Sequence, residues 1–229
     1  MKIARGIRSA IAANKSLLIF FGLMMVFRSA LADWMYVPTG SMNPTIVEGD
    51  RILVNKSAYG LRIPFTTIRM TQGSDPQRGD IVIFASPKDG TTLVKRVIGL
   101  PGETVEMRNE QLFIDGKAVG YETASIDETQ LANALRTTPH EFFSEKLAER
   151  SHPITVLPDR PAARTFGPVV VPNDRYLVLG DNRDNSEDSR YIGSIDRKSI
   201  VGRAFGVAYS LDADRWYRPR TERTFTSLK

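Results

Sequence analysis

The hydrophobic pattern divides the chain into two parts. One continuous apolar run covers residues 17–27, and no acidic residue occurs before Asp33. Beyond residue 35 the apolar positions occur in short, β-branched runs separated by glycine and proline turns, a pattern typical of strands. The pattern therefore predicts an N-terminal helix followed by a mainly β body.

Eight runs in the body predict strands. They cover residues 51–55, 81–85, 93–98, 104–107, 111–114, 169–171, 176–179 and 201–209. Residues 119–166 are more polar and irregular, and within them 127–136 and 140–150 have the composition of helices. We interpret this stretch as an insertion in the β body or a loop-rich subdomain.

The N-terminal run has two interpretations. Residues 17–27 are too few to cross about 30 Å of hydrocarbon, but residues 10–32 suffice if Lys15 and Arg28 extend towards opposite interfaces. Basic residues then keep the N-terminus in the cytoplasm. Alternatively, Ala30, Leu31 and Ala32 end a cleavable secretory signal, although Arg28 is unusual there. Both interpretations place the body outside the cytoplasm.

Composition narrows the function classes. The chain is 41% hydrophobic and 25% charged, which is ordinary for a folded protein. Its net charge of +5 comes from dispersed basic residues, which argues against a nucleic-acid surface. The absence of cysteine excludes disulfides, thiolate catalysis and cysteine metal sites.

The chain also lacks the residues of several familiar catalytic sites. Its two histidines, His140 and His152, lie in the polar segment, where we expect them to be solvated rather than part of a serine–histidine triad or a zinc site. The acid-rich stretch 181–188 lacks the ligand spacing of a calcium loop. We therefore expect no metal and no cofactor.

One serine and one lysine form a candidate catalytic pair. Ser41 follows Gly40 between two prolines, which favours an exposed, sharply turned loop, although such a serine is often only a turn residue. Along residues 93–98, alternation places Lys95 on an apolar face and Arg96 on the opposite face, where it can reach water. Burial would lower the pKa of Lys95 and make it a base. The plain alternative is an edge-strand lysine that extends into solvent.

Four segments, in order, resemble motifs of the bacterial type I signal peptidases (leader peptidases), a membrane-anchored serine–lysine family. They are residues 38–42, 78–84, 95–102 and 180–190. The resemblance implies strongly bent antiparallel sheets of the signal-peptidase type, a polar inserted subdomain at about 103–168 and one N-terminal transmembrane helix. It also favours a retained anchor at 16–34, a cytoplasmic tail at 1–15 and an extracytoplasmic catalytic domain at 35–229, in the bacterial inner (plasma) membrane.

The resemblance also implies roles for individual residues. Ser41 matches the nucleophile and Lys95 the general base, while the Thr39 hydroxyl and the Ser41 amide match the oxyanion hole. Ser186 matches the serine that orients the lysine, and the residues that brace the site are Asp181, Arg183, Asp188 and Arg190. Thr39 departs from the serine more common in the family, but it keeps the hydroxyl.

The function implied is removal of signal peptides from translocated preproteins at the lipid bilayer, with no nucleic-acid partner. Two other functions stay open on the sequence. One is a non-enzymatic, membrane-anchored β-rich envelope module, in which Ser41 is a turn residue. The other is a self-cleaving serine–lysine repressor, which requires an N-terminal DNA-reading unit where residues 1–35 supply an apolar segment.

Overall fold

The fold is mainly β. A computed structural model describes residues 14–66, 68–126, 131, 135 and 137–228. The helices are α1 (Lys15–Ala30) and α2 (Ser189–Ile192). The strands are β1 (Ala32–Tyr36), β2 (Asp50–Asn55), β3 (Ile81–Ala85), β4 (Thr92–Gly99), β5 (Thr104–Arg108), β6 (Gln111–Ile114), β7 (Lys117–Ala118), β8 (Gly120–Thr123), β9 (Glu141–Leu147), β10 (Arg150–Val156), β11 (Phe166–Val170), β12 (Arg175–Leu179), β13 (Ile195–Asp196), β14 (Ile200–Asp212), β15 (Arg218–Pro219) and β16 (Thr226–Ser227).

The largest sheet has nine strands and carries the core. Its main path runs β1-β2-β14-β3-β4-β12-β13, with β15 and β16 also paired to β14. Each neighbouring pair is antiparallel, and β14 shifts register against both β2 and β3, the kind of irregularity that bends a sheet. All eight predicted strands are confirmed, with ends that differ by a few residues.

Strands β5 to β11 form two smaller antiparallel sheets. One has the order β11-β5-β6-β7 and the other β10-β9-β8. The predicted helix at 140–150 is wrong, because this segment forms β9 and the start of β10. Pairing with β10 overrides the helix-favouring composition. The expectation that 119–166 is irregular is also wrong for β8, β9 and β10, while most of 127–136 lies outside the described residues. The limits 103–168 of the insertion stay a prediction.

Helix α1 precedes the β body and is apolar on its surface. It has 16 residues, and most of its large hydrophobic side chains are exposed. Within the described residues, no helix has the length and apolar character needed to cross a membrane. The helix ends at Ala30 and β1 begins at Ala32, so the last residues of the predicted 16–34 segment form a strand. The predicted tail, 1–15, lies almost wholly outside the described residues.

Candidate active site

The Ser41 loop connects β1 to β2 and is held tightly at its base. The Val37 amide donates to the Asp50 carbonyl at 3.0 Å, and the Gly49 amide donates to the Val37 carbonyl at 3.1 Å. Within the loop, a Cβ at Gly40 would lie 2.2 Å from Glu48 Oε1. A side chain at position 40 would therefore displace the Glu48 carboxylate from its place beside the loop.

Asn182 fastens the Ser41 loop to the segment that follows β12. Its side-chain Nδ2 donates to the Gly40 carbonyl at 3.0 Å, and its backbone amide donates to the Ser41 carbonyl at 3.1 Å. Asn182 is 1% exposed, so these bonds form away from solvent. Asn182 is not among the predicted site residues, because nothing local in the sequence shows that residue 182 meets residues 40 and 41.

Lys95 projects from β4 directly at the serine. Its Nζ lies 2.7 Å from Ser41 Oγ and donates to the Val94 carbonyl at 3.1 Å. The residue is only 2% exposed. Burial lowers the pKa of Lys95 from 10.5 to about 8, although the nearby carboxylates of Asp188, Asp181 and Glu187 act in the opposite direction. A substantial fraction of Lys95 is therefore neutral near pH 8 and has a lone pair for the serine proton.

The expectation that Arg96 reaches water is wrong. Its side chain is 1% exposed and binds Asp181 with two hydrogen bonds, Nη2 to Oδ2 at 2.7 Å and Nε to Oδ1 at 2.8 Å. Arg96 Nη1 also donates to the Gly79 carbonyl at 2.9 Å. Because β4 lies inside the sheet and its second half is buried on both faces, alternation separates Lys95 from Arg96 without exposing either.

The residues predicted to brace the site form a series of buried ion pairs. Asp181 pairs with Arg96, Arg183 Nη2 lies 2.5 Å from Glu145 Oε2, and Arg190 Nη2 lies 2.8 Å from Asp188 Oδ2. Asp188 also accepts from the Gly180 amide at 3.0 Å. Since each acid is neutralised by arginine, these charges can remain buried next to the lysine. In the part of the chain described, no cluster of three or more histidine, aspartate and glutamate side chains could hold a metal.

The prediction of a solvated His152 is wrong, whereas His140 is partly exposed. His152 is 3% exposed, with Nε2 at 3.3 Å from Glu145 Oε2 and 3.8 Å from Asp181 Oδ1. Burial lowers its pKa, and the nearby Arg96 guanidinium adds to this effect. His152 thus lies against two of the buried acids, Glu145 and Asp181. The local signal that could have predicted a buried His152 is the alternation of apolar and polar residues in β9 and β10, but the polar composition of this segment hides it.

The remaining predicted residues lie near Ser41, with different contacts. Thr39 is exposed, and within the described residues neither its hydroxyl nor the Ser41 amide donates a hydrogen bond. The Ser186 hydroxyl is buried without a hydrogen-bond partner there, and it does not contact Lys95 by a hydrogen bond. A Cβ at Gly180 would lie 2.2 Å from Ser186 Oγ and 2.5 Å from the Ser41 carbonyl oxygen. Ser186 thus lies beside the catalytic loop, and its orienting role stays a prediction.

Comparison with known proteins identifies the family. Residues 10–209 match the family model described as signal peptidase, peptidase S26. The chain is 37% identical to signal peptidase I of Pseudomonas fluorescens over 210 residues, covering 86% of this chain and 70% of that protein. It is 36% identical to signal peptidase I of Pseudomonas aeruginosa over 197 residues, covering 81% and 67%. It is 34% identical to signal peptidase I P of Bacillus subtilis subsp. natto over 202 residues, covering 88% and 90%.

The predicted resemblance is confirmed over most of the chain. The match includes all four motif segments and the residues between them, so it does not depend on the short motifs alone. The chain belongs to the S26 family of signal peptidases.

Proposed function

We propose that this chain is a membrane-anchored serine endopeptidase that removes signal peptides from translocated preproteins, with Ser41 as nucleophile and Lys95 as general base. The observation that carries the proposal is the 2.7 Å separation of Ser41 Oγ and Lys95 Nζ, with Lys95 buried. This distance is within the range for direct proton transfer. Membership of the S26 family argues against a non-enzymatic envelope module.

The reaction proceeds through an acyl-enzyme. Neutral Lys95 accepts the Ser41 hydroxyl proton as Oγ attacks the scissile carbonyl carbon, and the carbonyl oxygen becomes an oxyanion. The Thr39 hydroxyl and the Ser41 amide donate hydrogen bonds to that oxyanion. When the C–N bond breaks, the Lys95 ammonium returns the proton to the leaving amine. Lys95 then removes a proton from the water that attacks the ester carbonyl, and it gives this proton to Ser41 Oγ as the acyl C–O bond breaks, which restores the free serine and neutral Lys95.

The sheet offers an edge for an extended substrate. Residues 92–95 of β4 pair with β3, whereas β12 pairs with β4 only from Arg96 onwards. A substrate strand can add to the open side of β4 beside Lys95. Residues 34–37, at the end of β1 and the start of the Ser41 loop, provide a second stretch of backbone for pairing with the substrate, and β1 is an edge strand of the sheet.

Small substrate residues suit the apolar surface next to Ser41. The side chains of Met35 and Val94 are partly buried and pack against a cluster that includes Val37 and Met42. The family takes small residues, typically alanine, at the first and third positions before the cut. Shallow apolar contacts with these side chains would favour such residues and exclude bulky ones.

Helix α1, which by itself is too short to cross a membrane, is the apolar part of the proposed anchor. Its exposed residues include Leu18, Phe20, Leu23 and Phe27, so apolar side chains face outwards along its length. Basic residues and no acidic residue precede this helix, which favours a cytoplasmic N-terminus. The anchor places the catalytic body on the extracytoplasmic side of the bacterial plasma membrane and concentrates it near membrane-bound preproteins.

The proposal is tested by cleavage of a preprotein in vesicles. We expect Ser41→Ala, Lys95→Ala and Lys95→Arg each to reduce kcat/KM by at least about a thousandfold, because the nucleophile or a base able to become neutral is missing. Matched controls are Ser74→Ala and Lys117→Ala, which alter exposed residues outside the Ser41 loop and outside β4. Near-normal cleavage by any of the three site variants would disprove the serine–lysine pair.

A further inference from the structure

Helix α1 joins the β body without a linker. The helix ends at Ala30, and only Leu31 separates it from β1. Strand β1 pairs with β2 along its whole length, from Ala32 opposite Asn55 to Tyr36 opposite Arg51. The Ser41 loop follows directly. The path from the helix to the nucleophile is therefore one short strand of about 16 Å, at roughly 3.3 Å per residue, followed by a few loop residues.

Asp33 connects the last turn of α1 to the β body through two cations. Asp33 Oδ1 accepts from Arg28 Nη2 at 2.6 Å and from Arg28 Nε at 2.9 Å. Asp33 Oδ2 accepts from Lys56 Nζ at 2.8 Å. Lys56 Nζ also donates to the Arg28 carbonyl at 2.9 Å, so it contacts both the acid and the helix end. The Asp33 side chain is 18% exposed, which limits screening by salt.

Three further contacts hold the same helix end. The Arg28 guanidinium carbon lies 4.1 Å from the centre of the Trp34 ring, which is a cation–π contact between α1 and β1. The Lys56 amide donates to the Leu31 carbonyl at 2.8 Å. The Phe65 amide donates to Ser29 Oγ at 2.7 Å, which brings the loop after β2 against the helix. The helix end is thus restrained from several directions.

We propose that Asp33 is a positioning residue that fixes the distance and orientation of Ser41 relative to the bilayer. This inference rests on the proposed function. A membrane-presented preprotein has its cut at a set distance from its own apolar segment. A tether raises the effective concentration of the site only when its geometry matches the span it must bridge. A fixed junction at Asp33 supplies that match, whereas a loose junction lets the active site occupy many different distances from the bilayer.

The test compares two substrates in the full chain carrying Asp33→Asn, reconstituted in vesicles. Asparagine keeps the side-chain shape and removes the charge that holds Arg28 and Lys56. We expect kcat/KM for a membrane-inserted preprotein to fall by roughly tenfold relative to a short soluble peptide containing the same cut. Cleavage of the soluble peptide should stay within about twofold, since Asp33 does not contact Ser41 or Lys95. Asp33→Glu should restore part of the loss.

A second measurement separates positioning from a general weakening of the fold. Preproteins with one to six extra residues between the apolar segment and the cut should show a sharp optimum with the unaltered chain and a flattened one with Asp33→Asn. The matched control is Asp75→Asn, which breaks the ion pair between the exposed Asp75 and Arg197 elsewhere in the body. Asp75→Asn should leave kcat/KM for both substrates unchanged, and it should leave the optimal spacer length unchanged.

Two results would overturn the inference. One is an unchanged ratio of preprotein to peptide cleavage in Asp33→Asn. The other is an equal loss on both substrates, which would mean that Asp33 supports the site or the fold instead. Failure of the unaltered chain to cleave either substrate would instead overturn the proposed function, so the two failures are distinguishable.

Discussion

Replacing Lys95 with methionine should make the protein more stable at neutral pH while abolishing cleavage. Methionine has a similar length and no charge, so it keeps most of the packing. Lowering the pKa of Lys95 from 10.5 to about 8 means that the folded chain holds the charged lysine about 3 kcal/mol less favourably than the unfolded chain, at about 1.4 kcal/mol per pH unit. Methionine also loses the hydrogen bonds from Lys95 Nζ to the Val94 carbonyl and to Ser41 Oγ, which together offset about 2 kcal/mol of this.

The pH dependence follows from the direction of that pKa shift. Below about pH 8, Lys95 is protonated in both the folded and unfolded chains, and the folded chain bears the full penalty. Between about pH 8 and 10.5 the folded chain has lost the proton and the unfolded chain still holds it, so the unaltered protein gains stability as the pH rises. Lys95→Met should therefore be more stable than the unaltered protein at pH 7 and, because only the lost hydrogen bonds then count, less stable by about 2 kcal/mol above pH 10.5.

Thermal unfolding of the full chain in a non-ionic detergent, followed by circular dichroism, measures the effect. At pH 7 a net gain of about 1 kcal/mol corresponds to a rise in Tm of about 2–4 °C for a chain of this size. Lys117→Met, at an exposed position, should change the free energy of unfolding by less than about 0.5 kcal/mol at any pH. If Lys95→Met were destabilised equally at pH 7 and pH 10, the argument that burial penalises the Lys95 charge would be refuted.

Two further predictions concern catalysis. Lys95 must be neutral to accept the Ser41 proton. We therefore expect kcat/KM for a soluble peptide to rise about tenfold per pH unit below the pKa of about 8 and to level off above it. A profile still rising steeply at pH 10 would contradict a buried base. Thr39→Ala should lower kcat by roughly a hundredfold, because the hydroxyl that donates to the oxyanion is lost, whereas Thr39→Ser should keep most of the activity. Equal activity of the two variants in single-turnover assays would exclude Thr39 as an oxyanion donor.

Local sequence determined much of this protein. The eight predicted strands form, because alternating β-branched residues between glycine and proline turns specify strands over a few residues at a time. The candidate nucleophile and base also followed from local facts. The chain has no cysteine and only two histidines, so few catalytic chemistries remained. A serine in a turn, Ser41, followed by a strand that carries Lys95 was the candidate pair that these facts left. Family motifs then matched the same residues.

Only the tertiary structure decided which side chains are covered and which ones meet. Alternation separates Lys95 from Arg96, but β4 lies between β3 and β12, and both residues are buried. Helix-favouring residues form β9 because they pair with β10. Asn182 reaches Gly40 and Ser41 only because the segment after β12 returns beside the Ser41 loop. Burial and contacts between distant residues depend on all the packed elements together, whereas the periodicity of the sequence indicates only which residues share a face of a single strand or helix.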